Sequence, residues 1–444
     1  MSPPRKKRKI RIPPLQNNYS AKRPMSNASV VFPCAGELLL QTAFSCATMV
    51  KNTEFLCRRE IIMKYCSQCG TQLADTAVFC STCGSPCDPN FVPAAHTGAP
   101  AGNVQNENLF DKLTGAVNHF TGGSGAVRPP FRKLFGQIFT KHSRQEAEEI
   151  FVCGTAATTP VLSVSNTAWP QPWLFSRILL AFASAFLMLH LCCESFQNLN
   201  AYPGTIILGS FMVPVATFVF FFELNTPKNV SFFTAMKIFL VGGCASLLFT
   251  LLLFDLFPVE EMDYLGAILV GVIEEVGKLG IVAFFIHQEK DAKYTINGLL
   301  IGAAVGAGFA AFESAGYAFQ ILLNSGYTEM IDNIFLRGVL APGGHVVWAA
   351  MTGYAIMLVK GDSPLSMNFL SNSSFWKIFW IPIALHAVWD MPIPFGSEIA
   401  LVQILLCVLS WIIIFVIINN CLSQLEANLN KKAAEAPTVP PVAP

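Results

Sequence analysis

The sequence predicts an all-α polytopic membrane protein with about eight transmembrane helices, preceded by a small cysteine-rich module at the N-terminus. Of the 444 residues, 53% are hydrophobic and 13% are charged, whereas soluble domains carry about 25% charged residues. The mean hydropathy is +0.49. The net charge of +1 says nothing about nucleic acid, because in a membrane protein the charge difference between loops matters more than the total. No nucleic-acid partner is predicted.

Residues 1–62 differ in composition from everything that follows. The basic run 5–9 resembles a nuclear-localisation signal, for which a multi-span membrane protein has little use. No stretch has the pattern of a cleavable signal peptide. Met63 would be a natural start for the next module. We therefore expect residues 1–62 to be a disordered or spurious upstream extension.

Four cysteines in residues 63–86 form two CxxC pairs, and each pair is followed by glycine. Four thiolates at this spacing supply the tetrahedral shell of a structural zinc ion, which holds together a segment too short to form a core. A redox pair of CxxC motifs is the alternative, but no βαβ pattern surrounds these cysteines. We predict a small N-terminal zinc ribbon that docks a cytosolic partner or regulates the protein. Its predicted zinc ligands are Cys66, Cys69, Cys80 and Cys83.

Residues 87–172 predict a linker followed by a juxtamembrane segment. The linker is rich in Pro, Ala, Gly and Asn, which predicts flexibility. Residues 108–120 predict a short amphipathic helix. The segment 128–150 mixes basic residues with phenylalanines, so it either lies on the anionic membrane surface or is solvated beside it. The predicted apolar side of the helix consists of Leu109, Leu113, Val117 and Phe120.

The membrane domain is predicted at residues 173–421, followed by a disordered tail at 422–444. Each apolar run is long enough to cross about 30 Å of hydrocarbon as a helix. The predicted spans are 174–193, 204–223, 237–256, 265–286, 297–322, 338–359, 376–394 and 398–420.

The loop charges predict a multi-pass protein of the cell membrane with both termini in the cytoplasm. Lysines occur in every second loop and after the last span, whereas the other loops carry acids, with Arg337 as their one basic residue. By the positive-inside rule, the lysine-rich side is cytoplasmic. A cytoplasmic zinc ribbon also agrees with reduced thiols.

The fourth span contains two adjacent carboxylates and a lysine, at Glu274, Glu275 and Lys278. The apolar side chains of this span contribute about 4–8 kcal/mol to insertion. Each of the three charges costs about 2.5–3.5 kcal/mol near the middle of the membrane. The charges therefore cancel the gain unless they are paired or face a wet cavity. The spacing lets Lys278 neutralise one carboxylate on its own helix.

The next three spans carry further ionisable residues at a similar depth. Counted from the predicted outer ends at about 1.5 Å per residue, most of them lie roughly 10–15 Å below the surface, so acids and imidazoles from four helices form one layer. A lone histidine is more often a packing residue, and a lone glutamate equally suits a structural ion pair. These further candidates are Glu313, His345, His386 and Asp390.

The spacing within these spans predicts local geometry. Glu313 points in nearly the same helical direction as Gly302 and Gly306, so we expect it on the face that another helix approaches closely. His386 and Asp390 are four residues apart, so a hydrogen bond between them would fix the imidazole tautomer. Residues 342–344, with one proline and two glycines, loosen the helix before His345.

These motifs resemble those of the PrsW-type intramembrane proteases, which are related to CAAX-prenyl endopeptidases and bacteriocin-immunity membrane proteins. Residues 274–278 resemble the EExxK motif of the family, 309–313 its FxxxE motif and 386–390 its HxxxD motif, and His345 fits its separate histidine. The resemblance covers about residues 170–420. It implies cleavage of membrane-anchored regulators such as anti-sigma factors in the prokaryotic cell membrane.

Peptide hydrolysis inside a membrane needs an activated water and a stabilised oxyanion. We expect Glu274 or Glu275 to be the general base. The two histidines would either bind a catalytic zinc ion together with a glutamate or donate hydrogen bonds to the oxyanion, and the sequence leaves both versions open. The predicted orienting and neutralising residues are Lys278, Glu313 and Asp390.

Two non-enzymatic alternatives use the same residues. An ion-coupled transporter also keeps acids and histidines near the midplane, but the two halves of this chain show no internal repeat and its polar residues concentrate in spans four to seven. A non-catalytic protein that binds membrane helices would use the same groove. Replacing Glu274 and Glu275 by glutamine distinguishes a protease, which loses cleavage but keeps substrate capture, from a binding protein.

Overall fold

The computed structural model describes residues 64–65, 72–73, 108–394 and 400–435. The chain divides into two units, Met1–Ala101 and Gly102–Pro444. In the first unit, strands β1 (Lys64–Tyr65) and β2 (Gln72–Leu73) pair antiparallel. The predictions for residues 1–62, for the linker before residue 108 and for residues 436–444 of the tail lie outside the described residues. So do the four predicted zinc ligands, Cys66, Cys69, Cys80 and Cys83. Residues 422–435, predicted as part of a disordered tail, instead continue the last helix, Leu401–Glu435, with Leu422 and Leu425 buried.

The described part of the second unit is helical. A π-helical turn joins α6 to α7, and short 3-10 turns occupy several connections. The helices are α1 (Leu109–Phe120), α2 (Phe131–Leu134), α3 (Arg144–Val152), α4 (Leu174–Phe196), α5 (Tyr202–Leu224), α6 (Phe232–Lys237), α7 (Gly243–Leu256), α8 (Tyr264–Gln288), α9 (Thr295–Asn324), α10 (Tyr327–Leu340), α11 (His345–Lys360), α12 (Ser373–Asp390) and α13 (Leu401–Glu435).

Within the described residues, six helical stretches are long and apolar enough to cross a membrane. The predicted fourth and seventh spans also form helices, α8 and α12, but they fall outside this set because they carry ionisable residues within the apolar run. The all-helical membrane architecture is therefore confirmed. The six stretches are Leu174–Phe196, Leu199–Leu224, Phe232–Leu256, Thr295–Asn324, Tyr327–Lys360 and Leu401–Lys431.

The region before His345 differs from the prediction. The sequence predicts a loop that leads into a span beginning at residue 338, whereas the structure forms α10, a 3-10 turn at Ala341–Gly343, and only then α11. Pro342 occupies the 3-10 turn, and the residue before a proline is disfavoured in a continuing α-helix. His345 therefore lies at the start of α11, with Gly344 as its N-cap.

Helix α9 is the most buried of the predicted spans and organises the others around it. A side chain at Gly302 would collide with the backbone oxygen of Ala349 in α11, and one at Gly306 would collide with that of His345. Backbones can approach this closely only where side chains are absent. The predicted close packing at the glycine stripe is thus confirmed, and it brings α11 directly against α9.

The amphipathic helix α1 is confirmed, but its buried side differs from the expectation. Its polar residues Asp111, Thr114 and Asn118 are buried, whereas Leu109 is 83% exposed. The end of this helix is held by Tyr354, whose hydroxyl donates to the backbone oxygen of Thr121 at 3.1 Å. The polar face of α1 is therefore covered by the following loop, where Asn118 donates to the backbone oxygens of Ser124 and Gly125, and the C-terminal end of α1 contacts the membrane domain at Thr121.

The segment that follows α1 also packs on the membrane helices. The ring of Phe131 makes an edge contact with Phe415 at 5.0 Å, and Leu134 is fully buried. The imidazole of His142 stacks on Trp173 at 3.8 Å. Glu223, to which the sequence assigns no chemistry, accepts the backbone N–H groups of residues 173–175 at 2.9 Å each. It therefore caps the start of α4.

Candidate active site

The site begins with three residues of α8 that share one side of the helix. Lys278 donates to Glu275 Oε1 at 2.8 Å and to Glu274 Oε2 at 3.2 Å. Lys278 and Glu275 are completely buried, whereas Glu274 is 7% exposed. The sequence predicts that the lysine neutralises one carboxylate, but the structure pairs it with both.

Lys278 also reaches His345 on the neighbouring helix. Its ammonium lies 3.0 Å from Nδ1 of His345, and because an ammonium can only donate, Nδ1 must accept. A neutral ring then carries its hydrogen on Nε2, which lies 3.2 Å from Glu313 Oε2. The lysine thus fixes the tautomer of His345 and directs its remaining N–H toward Glu313.

His386 takes its orienting partner from another helix. Its Nδ1 lies 2.9 Å from Glu275 Oε1, and because a carboxylate only accepts, Nδ1 carries the hydrogen. The sequence predicts Asp390 as this partner, but the Asp390 carboxylate lies 3.4 Å from the other nitrogen, Nε2, which is long for a hydrogen bond. The same Nε2 lies 3.6 Å from Glu274 Oε2.

The structure brings the seven predicted residues of the membrane site into one cluster. Four helices contribute, and the layer predicted from sequence depth corresponds to direct side-chain contacts. The catalytic roles of these residues stay a prediction. The members are Glu274, Glu275, Lys278, Glu313, His345, His386 and Asp390.

The cluster borders a cavity of about 560 Å³. Glu274 lines this cavity, whereas Glu275 and Lys278 lie behind it. The indole of Trp348 packs against both imidazoles, 4.6 Å from the ring of His386 and 5.2 Å from that of His345. The cavity therefore presents three carboxylates, those of Glu274, Glu313 and Asp390, and two imidazoles next to a large apolar wall.

Arg337 is a residue of the site that the sequence does not predict as a candidate. Its guanidinium forms an ion pair with Glu313, and its Nε donates to Ser314 Oγ at 2.8 Å. The same group lies 4.8 Å from the ring centre of Tyr317. The available signal was its isolation, because Arg337 is the one basic residue among loops that otherwise carry acids.

Three residues of the cluster have the donor types of a catalytic metal site. Glu274, His345 and His386 each offer one ligand atom, and these atoms lie within 4.8 Å of one another. A carboxylate and two imidazoles form a set typical of catalytic zinc, which keeps a further position for water. The residues thus fit a metal by donor chemistry, with Lys278 competing for Nδ1 of His345.

Comparison with known proteins identifies the membrane domain. Residues 226–418 match the model of the PrsW family intramembrane metalloprotease. Over these residues, the membrane domain resembles the PrsW family. Residues 65–86 match a zinc-ribbon domain, which agrees with the predicted position of the cysteines. No solved structure matches the chain.

Curated relatives of the PrsW family align with part of this chain. Protease PrsW of Clostridioides difficile strain 630 is 27% identical over 201 residues, which cover 44% of this chain and 79% of the relative. Protease PrsW of Shouchella clausii strain KSM-K16 is 23% identical over 215 residues, or 47% and 93%. Protease PrsW of Oceanobacillus iheyensis is 24% identical over 144 residues, or 32% and 61%.

Proposed function

We propose that this protein is an intramembrane endopeptidase that hydrolyses peptide bonds of membrane-anchored regulatory proteins resembling anti-sigma factors. The match of residues 226–418 to the PrsW family model supports the protease activity. The single observation that carries the mechanism is the different surroundings of the two adjacent glutamates. Glu274 lines the cavity, whereas Glu275 is enclosed behind it by Lys278 and His386.

Glu274 is the proposed general base. Its carboxylate lies at the cavity, where a water molecule and a peptide carbonyl can meet. The water oxygen bonds to the carbonyl carbon while its proton passes to Glu274 Oε2, and the same proton moves to the amine nitrogen as the C–N bond breaks. A positioned base of this kind contributes about 10²–10⁴-fold to a rate.

Glu275 and Lys278 are the proposed positioning residues. By accepting the Nδ1 hydrogen of His386, Glu275 turns Nε2 of that ring toward the cavity. Lys278 holds both carboxylates and His345 in one arrangement. Groups fixed before the reaction need no reorganisation when charge develops, which is the main source of electrostatic stabilisation in enzymes.

The histidines have two roles that differ in whether a metal is present. In the glutamate version, an imidazole N–H at the cavity donates to the oxyanion. In the metal version, Glu274, His345 and His386 would hold a zinc ion, which would polarise the carbonyl and activate water when bound, and Glu274 would then be a ligand and not the base. The three ligand atoms lie within 4.8 Å of one another, which supports the metal version. The contact between Lys278 and His345 supports the glutamate version.

The substrate class follows from the position of the cavity within the apolar helices. We propose that the protein lies in the cell membrane with both termini in the cytoplasm, since the lysine-rich loops alternate with acidic ones. A polypeptide anchored in the same bilayer reaches the cavity without leaving the membrane. The zinc ribbon would dock a cytosolic partner.

The decisive experiment compares Glu274→Gln with the matched variant Glu329→Gln, an exposed acid on α10. Purified proteins are incubated in vesicles with a panel of tagged single-span proteins, and cleavage and co-purification are measured. We expect Glu274→Gln to lose cleavage by about 10²–10⁴-fold while still capturing the substrate, and Glu329→Gln to behave as wild type. Undiminished cleavage by Glu274→Gln contradicts the proposed base.

A second experiment separates the metal version from the glutamate version. The four cysteines of the ribbon are replaced by serine, and zinc bound per chain is measured with and without His386→Ala. If the cysteine variant binds one zinc ion per chain and the added His386→Ala change abolishes that binding, the metal version is supported. A metal-free cysteine variant that still cleaves establishes the glutamate version.

A further inference from the structure

A second cavity, of about 830 Å³, lies at the other ends of the helices that form the site. It is bordered by the connection between α8 and α9, by the end of α11 and by the later part of α13. Along α11, from His345 to Lys360, the two cavities are separated by roughly 22 Å at about 1.5 Å per residue. We call this cavity the lysine pocket after its lining residues Lys290, Lys293, Lys360 and Lys431.

The charges around the lysine pocket are not balanced from within. Two acids line it, but Glu289 already pairs with Lys237 at 3.0 Å, which leaves Asp362. Among the described residues, none of the four lysines forms an ion pair. A concave surface lined by one sign of charge concentrates counter-ions. The pocket therefore suits an anionic ligand.

The floor of the pocket indicates which kind of anion fits. Ile286, at the end of α8, and Leu365, after α11, line the pocket beside the lysines. The pocket thus places apolar and cationic groups together where membrane helices end, which is the level of lipid headgroups. A free phosphate contacts only the lysines, whereas an amphiphile contacts both surfaces.

We propose that the lysine pocket binds the phosphate headgroup of an anionic phospholipid, with the start of an acyl chain against the apolar floor. Basic pockets between the ends of membrane helices are known lipid-binding features. Binding at the pocket can be distinguished from attraction to the general positive charge of this side of the protein. Lys228 and Lys377 belong to the same set of lysine-rich loops but do not line the pocket. These two lysines provide a matched control.

The test uses the full-length protein in mild detergent and measures retained lipid by native mass spectrometry. Phosphatidylglycerol is the probe, phosphatidylcholine is the neutral comparison, and inorganic phosphate is the competing free anion. We expect phosphatidylglycerol to be retained in preference to phosphatidylcholine. We expect K290Q/K293Q to bind it roughly 25-fold more weakly, at about fivefold per lysine, and K228Q/K377Q to bind within twofold of wild type.

The variant K290R/K293R separates charge from folding, and retained binding by this variant supports the proposal. Equal loss in the arginine and glutamine variants overturns it, as does equal loss in K228Q/K377Q. Retention of phosphatidylcholine at the level of phosphatidylglycerol also overturns it. If millimolar inorganic phosphate displaces the lipid and stabilises the protein against heat as much as phosphatidylglycerol does, the pocket is assigned to a free anion instead.

Discussion

The two ends of the same helices handle charge in opposite ways. At the active site, carboxylates, imidazoles and a lysine pair with one another, as in the contacts of Lys278 with Glu275 and His345, and Oε2 of Glu275 is buried without a hydrogen-bond partner among the described residues. At the lysine pocket, the lysine ammonium groups line an open cavity, and none of them forms an ion pair among the described residues. The charges of the first arrangement pair within the chain, whereas the proposed partner of the second is an anionic lipid.

The contrast indicates which charges hold the fold together. A buried group loses its hydration, so removing its partner leaves an uncompensated charge. An exposed group keeps its water, and its removal changes stability little. Replacing a lysine at one end should therefore affect stability, whereas the same change at the other end should affect only ligand binding.

The largest expected effect is at Lys278. Replacement by methionine leaves the Glu275 charge buried, and we expect a loss of about 3–5 kcal/mol in unfolding free energy together with loss of cleavage. Lys290→Met at the other end should stay within about 0.5 kcal/mol of wild type. Unfolding in mixed detergent measures both, and equal stability of the two variants would remove the contrast.

A second effect concerns backbone packing beside the cluster. Gly306→Ala inserts a methyl group against the backbone of His345, and we expect a loss of about 1–3 kcal/mol and a displaced imidazole. Gly316 lies on the same helix with open space around it, so Gly316→Ala should be neutral or stabilising by up to about 1 kcal/mol. Thermal unfolding of the pair checks this, and a tolerated Gly306→Ala contradicts it.

Arg337 provides a third test, on activity. Arg337→Gln removes the ion pair with Glu313 and the bond to Ser314, so we expect cleavage to fall by roughly 10- to 100-fold, equivalent to a charged hydrogen bond of about 1.5–3 kcal/mol. Arg337→Lys should recover only part of it, because lysine lacks the planar fork. A fall in kcat with unchanged KM indicates positioning of Glu313, and Asp332→Asn on the same helix is the control.

The smallest effect is at an ion pair that remains in contact with water. Two hydrogen bonds from Arg128 lower the pKa of Asp111. The attachment of α1 to the loop at Arg128 should therefore be at full strength above the ordinary aspartate pKa near 4 and should weaken as the pH falls below it. Limited proteolysis between pH 6 and 3 measures this, and Asp111→Asn should remove the pH dependence. Cleavage of α1 that is independent of pH in the wild type would contradict it.

Sequence alone predicts the cluster at the candidate site because charges are rare in apolar runs. Glu274, Glu313 and His386 are expensive within a membrane helix, and counting residues from the helix ends placed them at one depth. The glycine stripe likewise predicted the face of Glu313. These inferences depend on local periodicity, which the sequence displays directly.

The sequence predicts contacts between different helices less well. The spacing of His386 and Asp390 favours a local hydrogen bond, but the partner at 2.9 Å is Glu275 on another helix. Arg337 lies outside the apolar runs, so no pattern distinguished a loop residue from one that faces the cavity. For α1, periodicity separates two faces but does not tell which face the protein covers, and the polar one is buried.

The contact between α9 and α11 limits how the protein can admit a polypeptide. With backbone against backbone at Gly302 and Gly306, these helices cannot separate without opening voids along their whole length, and interiors of this density do not deform gradually. Space for a substrate has to come from a more loosely held wall. Helix α10 adjoins the cavity through Leu336 and Arg337, and its Phe335 and Leu336 are about half exposed, so any displacement of this wall would move Arg337 away from Glu313.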